Sequence, residues 1–574
     1  MYIEFRGGAC IGLVFLMLWL GKWHRRSGVI TGAEWIFYRF GNEGWGKCAR
    51  LAMVLAIVVM TVGGLAYAFK GAGLFLTMFI PLSPFTCSVI LMVITTIYTL
   101  EAGFYGVVVS DIFQSICIVI GVVFIIILAV TKIAGVNDFG AIAASVTGNA
   151  DWLSTAPKWH TTMPKGYEQY SYITLIALMY LAKSSIQGLG MGTDPKYFGA
   201  KSDRDCGLLS FSSGWFLMMR WPLMLGCAIL GIFLVRDLFP DRSVILKSAE
   251  FIRYYVPAAD ATSWSGIIAD IMNHPANYPQ ALTSELKNLL GTDWARKLSL
   301  VSFNGIVDAE RILPAVILFN IPVGMRGLLI VALLAAAMST FNAIINAATG
   351  YLTRDLYQAY IRPKASNKEL IYMSYLFGFL LVTFGMLLSL STRSINDIWG
   401  WIAVSLTSGL AVPTILRLYW WRFNSGGFAI GTIVGLLAAV LQRLLIPQML
   451  EWHQFVYMIC TGLVGSIVGT YITRPTDRAV LENFYRTTRP FGLWGPLKNI
   501  LSPELRELTK KEHFYDLISV PFALIWLITM FLLPMQLMVG QVRSFFITLI
   551  PFVVSITGLY FFWYRNLSAF ETKK

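Results

Sequence analysis

The sequence predicts an all-α polytopic membrane protein with about thirteen spanning helices. Three observations carry that reading. The 574 residues are 56% hydrophobic and only 13% charged, with a mean hydropathy of +0.65; soluble domains seldom look like this. Apolar runs approaching the ~20 residues needed to cross ~30 Å of hydrocarbon recur along the whole chain. Basic residues gather in alternate connections between those runs.

In chain order the runs fall at 5–22, 51–69, 84–99, 105–134, 171–190, 207–236, 323–353, 370–391, 397–420, 426–448, 456–473, 514–537 and 545–564. The third and fifth are short or interrupted. The net charge of +14 is laid out as topology. Lys22, Arg25, Arg26, Arg39, Lys47 and Arg50 follow the first run, and Lys196, Lys201 and Arg204 follow the fifth. Arg354, Arg362, Lys364 and Lys368 follow the seventh, and Arg417 and Arg422 flank the end of the ninth. Arg474, Arg478, Lys498, Arg506, Lys510 and Lys511 crowd the connection after the eleventh. If helices simply alternate, all of these share one side, which the positive-inside rule makes cytoplasmic. Segments 135–170 and 237–322 then lie outside, and the basic excess gives no reason to expect a nucleic-acid partner.

The seven cysteines form no framework. Cys10, Cys87, Cys117, Cys227 and Cys460 lie in apolar runs, where cysteine acts as a small hydrophobe. Cys48 and Cys206 sit near cytoplasmic helix ends, and the outer segments hold none. His24, His160, His274, His453 and His513 are scattered, with no metal-ligand spacing and no nucleophile–base pair inside a span. An enzyme is not expected.

The seventh run is the most informative. Ser339, Asn342, Asn346, Thr349 and Thr353 recur at spacings of three and four, which places them on one helical face. Alanines and Gly350 fill much of the rest, so neighbouring backbones can approach. A row of neutral oxygens suits a desolvated hard cation; hydrogen-bonded glue between helices is the competing reading.

Two other stretches carry polar groups. In the fifth run the apolar stretch from Tyr172 to Ala182 meets Lys183, Ser184, Ser185 and Gln187, then Gly188, Gly190 and Gly192. That pattern predicts a broken helix lining a transporter's cavity; an ordinary helix with a glycine packing face and a snorkelling lysine is the alternative. Asp111 opens a long apolar run, either as a helix-start charge or as a recruit to a second cation site. Runs five to nine (171–420) read as five helices with a broken first member. Runs one to four read as a similar set lacking one helix, consistent with inverted repeats.

These motifs resemble the sodium/solute symporter family, which has the LeuT-type fold of two inverted five-helix repeats. The resemblance covers residues 3 to about 475 and is carried by AAAMSTFNAIINAATGYLTRDLY, YTLEAGFYGVVVSDIFQ, the FGAKSDRD turn, GVITGAEWIFYRFG at 28–41 and LRLYWWRFN at 416–424. RPFGLWGP at 489–496 resembles a bacterial subgroup with two added C-terminal helices.

The resemblance implies a transporter core over 1–475, with an incomplete first repeat (1–134), a second repeat (171–420) and peripheral helices (426–475). An extracytoplasmic loop (237–322), a cytoplasmic connection (476–513) and two further helices (514–574) complete it. It implies a multi-pass protein of a bacterial inner membrane, its C-terminus cytoplasmic. Its sodium site takes the Ala336 carbonyl and the Ser339 and Thr340 hydroxyls, with Na+ as coupling ion. Asp111 and Asn342 are the candidates for a second sodium, although Ala343 stands where two-ion members carry a hydroxyl. Pro195 and Lys196 replace the family's usual Gln-Arg, which bears on the inner gate.

The family's first broken helix, which completes the sodium site, precedes the segment that IEFR at 3–6 resembles. The resemblance therefore implies that the helix was lost to a mis-called start or a real truncation. Lys183, Ser184, Gln187, Gly188 and Glu4 are the candidate substrate-cavity residues. A buried lysine favours a carboxylate, whereas pairing of Lys183 within the protein leaves a neutral sugar to Ser184 and Gln187. Tyr180, Trp399 and Trp401 can stack on a sugar ring. The expected function is sodium-coupled import of a small polar solute, sugar or polyol first and carboxylate next. A non-transporting sensor or inactive relative is the alternative.

Overall fold

The computed structural model describes residues 10–567 except 30, 155–157, 164–169, 193–194, 219, 262 and 393, with backbone only for 98–111 and 195. Glu4 therefore lies outside the described residues, and the side chain of Asp111 does too. Among the described residues ten helices are long and apolar enough to cross a membrane: Trp45–Leu76, Ile112–Ala134, Asp203–Leu238, Val323–Ile361, Asn367–Leu390, Ile395–Tyr419, Ser425–Leu445, Glu451–Ile472, Pro503–Met538 and Val542–Asn566. Many large apolar side chains on them are exposed, among them Ile116, Phe379, Val464 and Ile550. Such a surface is stable against lipid rather than water.

Three of the thirteen expected runs, 5–22, 84–99 and 171–190, are not among these ten. The break expected between 99 and 105 is absent: Pro84–Ala134 runs as one helix of 51 residues. Ser83 caps its start by accepting from the Thr86 amide, Pro84 supplies the first turn, and Gly135 ends it. No proline interrupts 99–105, and glycines alone weaken a helix by about 1 kcal/mol each without stopping it. The fifth run is likewise continuous through Lys183 and Gln187, forming a helix over Ile173–Leu189 that gives way at Gly190. The polar residues that suggested a mid-span break sit inside regular helix. Gly192, at φ +128°, takes the turn beyond it.

Between the spans, 243–298 folds into short helices whose buried residues share one cluster with span residues such as Ile125, Phe233 and Leu329. Ile245, Ile252, Trp264, Ile268, Leu282 and Leu286 are buried together, and the Trp264 indole donates to the Val301 carbonyl at 2.8 Å.

The basic side is tied together by buried hydrogen bonds and ion pairs. Arg39, on the Gly32–Phe40 helix, donates to the carbonyls of Arg417 (2.8 Å), Trp420 (3.1 Å) and Phe423 (3.2 Å). The Trp494 indole donates to the Leu418 carbonyl at 3.0 Å. Three of the motifs above thus meet at one helix end, where Arg39 satisfies carbonyls that a helix terminus leaves open. Burial, with the neighbouring Arg417 charge, lowers the Arg39 guanidinium to about 9. Nearby, Asp203 of the FGAKSDRD turn pairs with Arg25 (2.8 Å) and Arg26 (2.7 Å). Lys22 meets Glu512 (3.0 Å) and Asp516 (2.7 Å) of the Pro503–Met538 helix.

Candidate functional site

A cavity of about 860 Å³ opens among the Trp45–Leu76, Ile173–Leu189, Val323–Gly350 and Ile395–Tyr419 helices. Small residues make the space: Ala56, Gly64, Ala68, Gly71, Ala337 and Ala347 all line it. Its polar groups are almost all neutral, including Thr61, Tyr67, Gln187, Thr340, Thr407 and Thr414. Lys196 is the one charged side chain among the described residues lining it. At one end Tyr67 and Trp399 pack with ring centroids 5.4 Å apart. At the other stand Gly192, Lys196, Tyr197 and Phe428.

The Val323–Gly350 helix meets this cavity through Ala337, Thr340, Ile344 and Ala347. Each residue advances about 100° round a helix, so that face lies roughly opposite the row Ser339, Asn342, Asn346, Thr349 and Thr353. Asn342, Thr349 and Thr353 are buried in protein, Ser339 is half-buried and Asn346 is exposed. Thr349 donates to its own helix, at the Ile345 carbonyl, over 2.9 Å. The predicted oxygen row is real as a face but does not line the cavity.

Thr340 does. Its hydroxyl donates to the Ala336 carbonyl at 3.0 Å. With its only hydrogen committed there, the oxygen is left as an acceptor towards the space beyond. The bond is the ordinary back-bond of a helical threonine to the carbonyl four residues earlier, which keeps the Thr340 hydroxyl beside the Ala336 carbonyl. Asn342 is fully buried, away from the cavity; Asp111 belongs to the Pro84–Ala134 helix that packs against the Val323–Gly350 helix.

On the fifth span the expected residues separate. Gln187 lines the cavity, while its amide donates to the Ala403 carbonyl (3.1 Å) and the Ser408 hydroxyl (2.9 Å). Lys183 is 1% exposed and is not among the described residues lining the cavity. Its ammonium donates to the same Ala403 carbonyl at 3.2 Å and lies 5.1 Å from the centre of the Tyr180 ring. Ser184 is half-buried outside the lining. Gly188 is a packing glycine: a Cβ there would stand 2.7 Å from the Gly12 Cα.

Ala403 itself was not a sequence candidate. It lies in a π-helical turn, Trp401–Leu406, where widened spacing disturbs the usual carbonyl pairing. No residue type in that turn advertises it. Trp401 packs elsewhere, donating to the Ala439 carbonyl at 3.0 Å, and of the three aromatic candidates only Trp399 lines the cavity.

Comparisons with known proteins agree on one group. The profile of the "Sodium:solute symporter family" matches residues 3–186 and 303–435. The chain is 22% identical over 447 residues to "Sodium/glucose cotransporter 4" of Danio rerio, covering 76% of this chain and 59% of that protein. It is 30% identical over 223 residues to "Osmoregulated proline transporter OpuE" of Bacillus subtilis (strain 168), covering 38% of this chain and 42% of that protein. The chain thus spans about three fifths of the length of the first of these relatives. A solved substrate-bound outward-open state of a Na+-coupled sialic acid symporter resembles it with a TM-score of 0.48 and 16% identity, over 83% of this chain and 87% of that one. With the profile matched over more than half of its length, on both flanks of the cavity, the chain belongs to the sodium:solute symporter family.

Proposed function

We propose that this chain is a sodium-coupled symporter that imports a small polar solute by alternating access, with a sugar or polyol favoured. The carrying observation is that Thr340 and Gln187, from two different spans, face one cavity whose lining is neutral except for Lys196. Neutral hydroxyls, an amide and the Tyr67–Trp399 pair suit a hydroxylated, uncharged solute. A carboxylate is the second choice, because Lys183 is engaged with the Ala403 carbonyl rather than presented to the cavity.

Sodium would be held on the Val323–Gly350 helix by the Thr340 hydroxyl, with Ala336 and Ser339 beside it. Asn342 and Asp111 stay the candidates for a second ion. The LeuT-type inverted repeat, the bacterial inner membrane and a cytoplasmic C-terminus belong to the same proposal, supported by the family and the charge asymmetry. Sodium binding favours an outward-open cavity, and occupancy by ion and solute permits rocking to the inward-open form. One positive charge crossing 100 mV contributes about 2.3 kcal/mol, roughly fifty-fold accumulation.

The test is uptake by proteoliposomes screened with sugars, polyols and carboxylates, with and without an inward sodium gradient. Gradient-dependent accumulation of a neutral polyol is expected. Equal uptake with sodium replaced by potassium contradicts the reading.

A further inference from the structure

Three side-chain oxygens converge at one buried point outside the cavity. Ser405 stands in the π-helical turn Trp401–Leu406 and is fully buried. Its Oγ lies 3.0 Å from Gln442 Oε1 and 2.9 Å from Gln454 Oε1. The two glutamines come from different spans, Ser425–Leu445 and Glu451–Ile472, and both are buried. None of the three is among the described residues lining the cavity, so this point is separate from Thr340.

The hydrogens do not suffice for the oxygens. A serine hydroxyl carries one, so it can donate to one of the two amide oxygens and not to both. The other amide oxygen then faces Oγ at hydrogen-bond distance, lone pair to lone pair. Turning either amide over does not help. Gln442 Nε2 donates to the Ile446 carbonyl at 2.9 Å, and Gln454 Nε2 to the Met449 carbonyl at 2.6 Å. A reversed amide would set its oxygen against that carbonyl, which can only accept. Every orientation therefore leaves two buried oxygens in contact with no hydrogen between them, a costly arrangement in low dielectric.

A cation removes the conflict. Held against Oγ and both Oε1 atoms, it gathers their lone pairs at one centre and lets the hydroxyl hydrogen point away. Oxygens at this spacing subtend about 75° at a hard cation held about 2.4 Å from each, which favours a small ion over a large one. A divalent ion relies on carboxylate ligands, whereas three neutral oxygens suit a single charge.

The surroundings suit a cation too. Arg443, next to Gln442, is already matched by Asp397 through two hydrogen bonds of 2.7 Å. Glu451 lies one turn before Gln454 on the same helical face. The Ile446 and Met449 carbonyls that hold the amides belong to the connection between the two spans, where 446–448 are exposed. An ion can thus arrive from water, on the side opposite the basic connections.

We propose that Ser405, Gln442 and Gln454 bind one small alkali cation, sodium, which pins two spans to the π-helical turn. The same turn holds Ala403, whose carbonyl takes Lys183 and Gln187. The site goes beyond the transport reading and does not rest on it, because it stands whether or not Thr340 binds an ion.

Hydrogen–deuterium exchange on the purified full chain tests it, with sodium titrated against N-methyl-D-glucamine at constant ionic strength. Amides in 401–406 and 442–456 should become protected saturably with sodium, and potassium should need a severalfold higher concentration. Thr340→Ala should leave the half-saturating sodium at these segments within about twofold, which separates this site from the cavity. Gln454→Leu should remove the protection. Should that variant fail to fold, the smaller change Ser405→Ala should raise the half-saturating sodium by about tenfold or more. No sodium-dependent protection, an equal response to potassium, protection lost in Thr340→Ala, or a titration unchanged by both Gln454→Leu and Ser405→Ala overturns the proposal.

Discussion

The Lys183 ammonium donates to the Ala403 carbonyl across 3.2 Å, tying the fifth span to the π-helical turn of the Ile395–Tyr419 helix. The Gln187 amide reaches the same oxygen at 3.1 Å, one helical turn further on. Gln187 lines the cavity and Lys183 is not among the described residues that do, so the lysine's bond ties the two spans together rather than facing a solute. Lys183→Met should therefore cost about 1–3 kcal/mol of stability, the scale of a lost charged hydrogen bond, seen as a lower unfolding midpoint. Selectivity between anionic and neutral solutes should stay unchanged. A switch in that selectivity places the ammonium in the cavity instead.

The ion cluster on the basic side joins distant parts of the chain. Lys22 contacts Glu512 and Asp516, while Arg26 bridges Asp203 to Glu512, all largely buried. Removing one member strands its partners in low dielectric. Glu512→Gln should destabilise the protein by about 3–5 kcal/mol, whereas Arg478→Gln, whose pair with Glu482 is exposed, should change little. Denaturant unfolding of the two variants measures the contrast.

Glu310 reaches across to the start of the Ile395–Gly400 helix, accepting from the Asn396 amide at 3.0 Å. That helix supplies Ile395 and Trp399 to the cavity. Burial is the largest influence on Glu310 and raises its carboxyl above the usual 4.5, with the amides of Asn396 and Ile395 acting the other way. In the native state the group therefore holds its proton to higher pH than in the unfolded chain. Stability should then fall as pH rises from about the ordinary glutamate value to the raised one, and be level above that. Glu310→Gln should flatten that slope in a midpoint-versus-pH series. A slope unchanged by the substitution removes Glu310 from the account.

Much of this was legible in the sequence, and the failures have physical causes. Helix 323–350 was readable because its apolar run and three–four polar spacing leave one secondary structure open. Which face meets the cavity was not, because Thr340 and Ser339 differ by about 100° and both faces carry oxygens. Lys183 and Gln187 were singled out by being polar inside a span, yet their shared acceptor is a backbone carbonyl in a turn with no residue signature. The continuous Pro84–Ala134 helix was missed because paired polar and glycine residues resemble a loop when its neighbours are unknown. Arg417 was counted as a topology charge; its missing acceptors are visible only once its neighbours are placed.

Sodium coupling through the Val323–Gly350 helix is tested most directly by Thr340→Ala, with Ser339→Ala as its companion. In proteoliposomes, uptake is measured against sodium concentration at fixed solute. Loss of the cavity-facing oxygen should raise the sodium needed for half-maximal uptake by about tenfold, with expression and the unfolding midpoint near those of the unmodified protein. Ser339→Ala should move it in the same direction. A sodium dependence in Thr340→Ala indistinguishable from the unmodified chain would contradict the account.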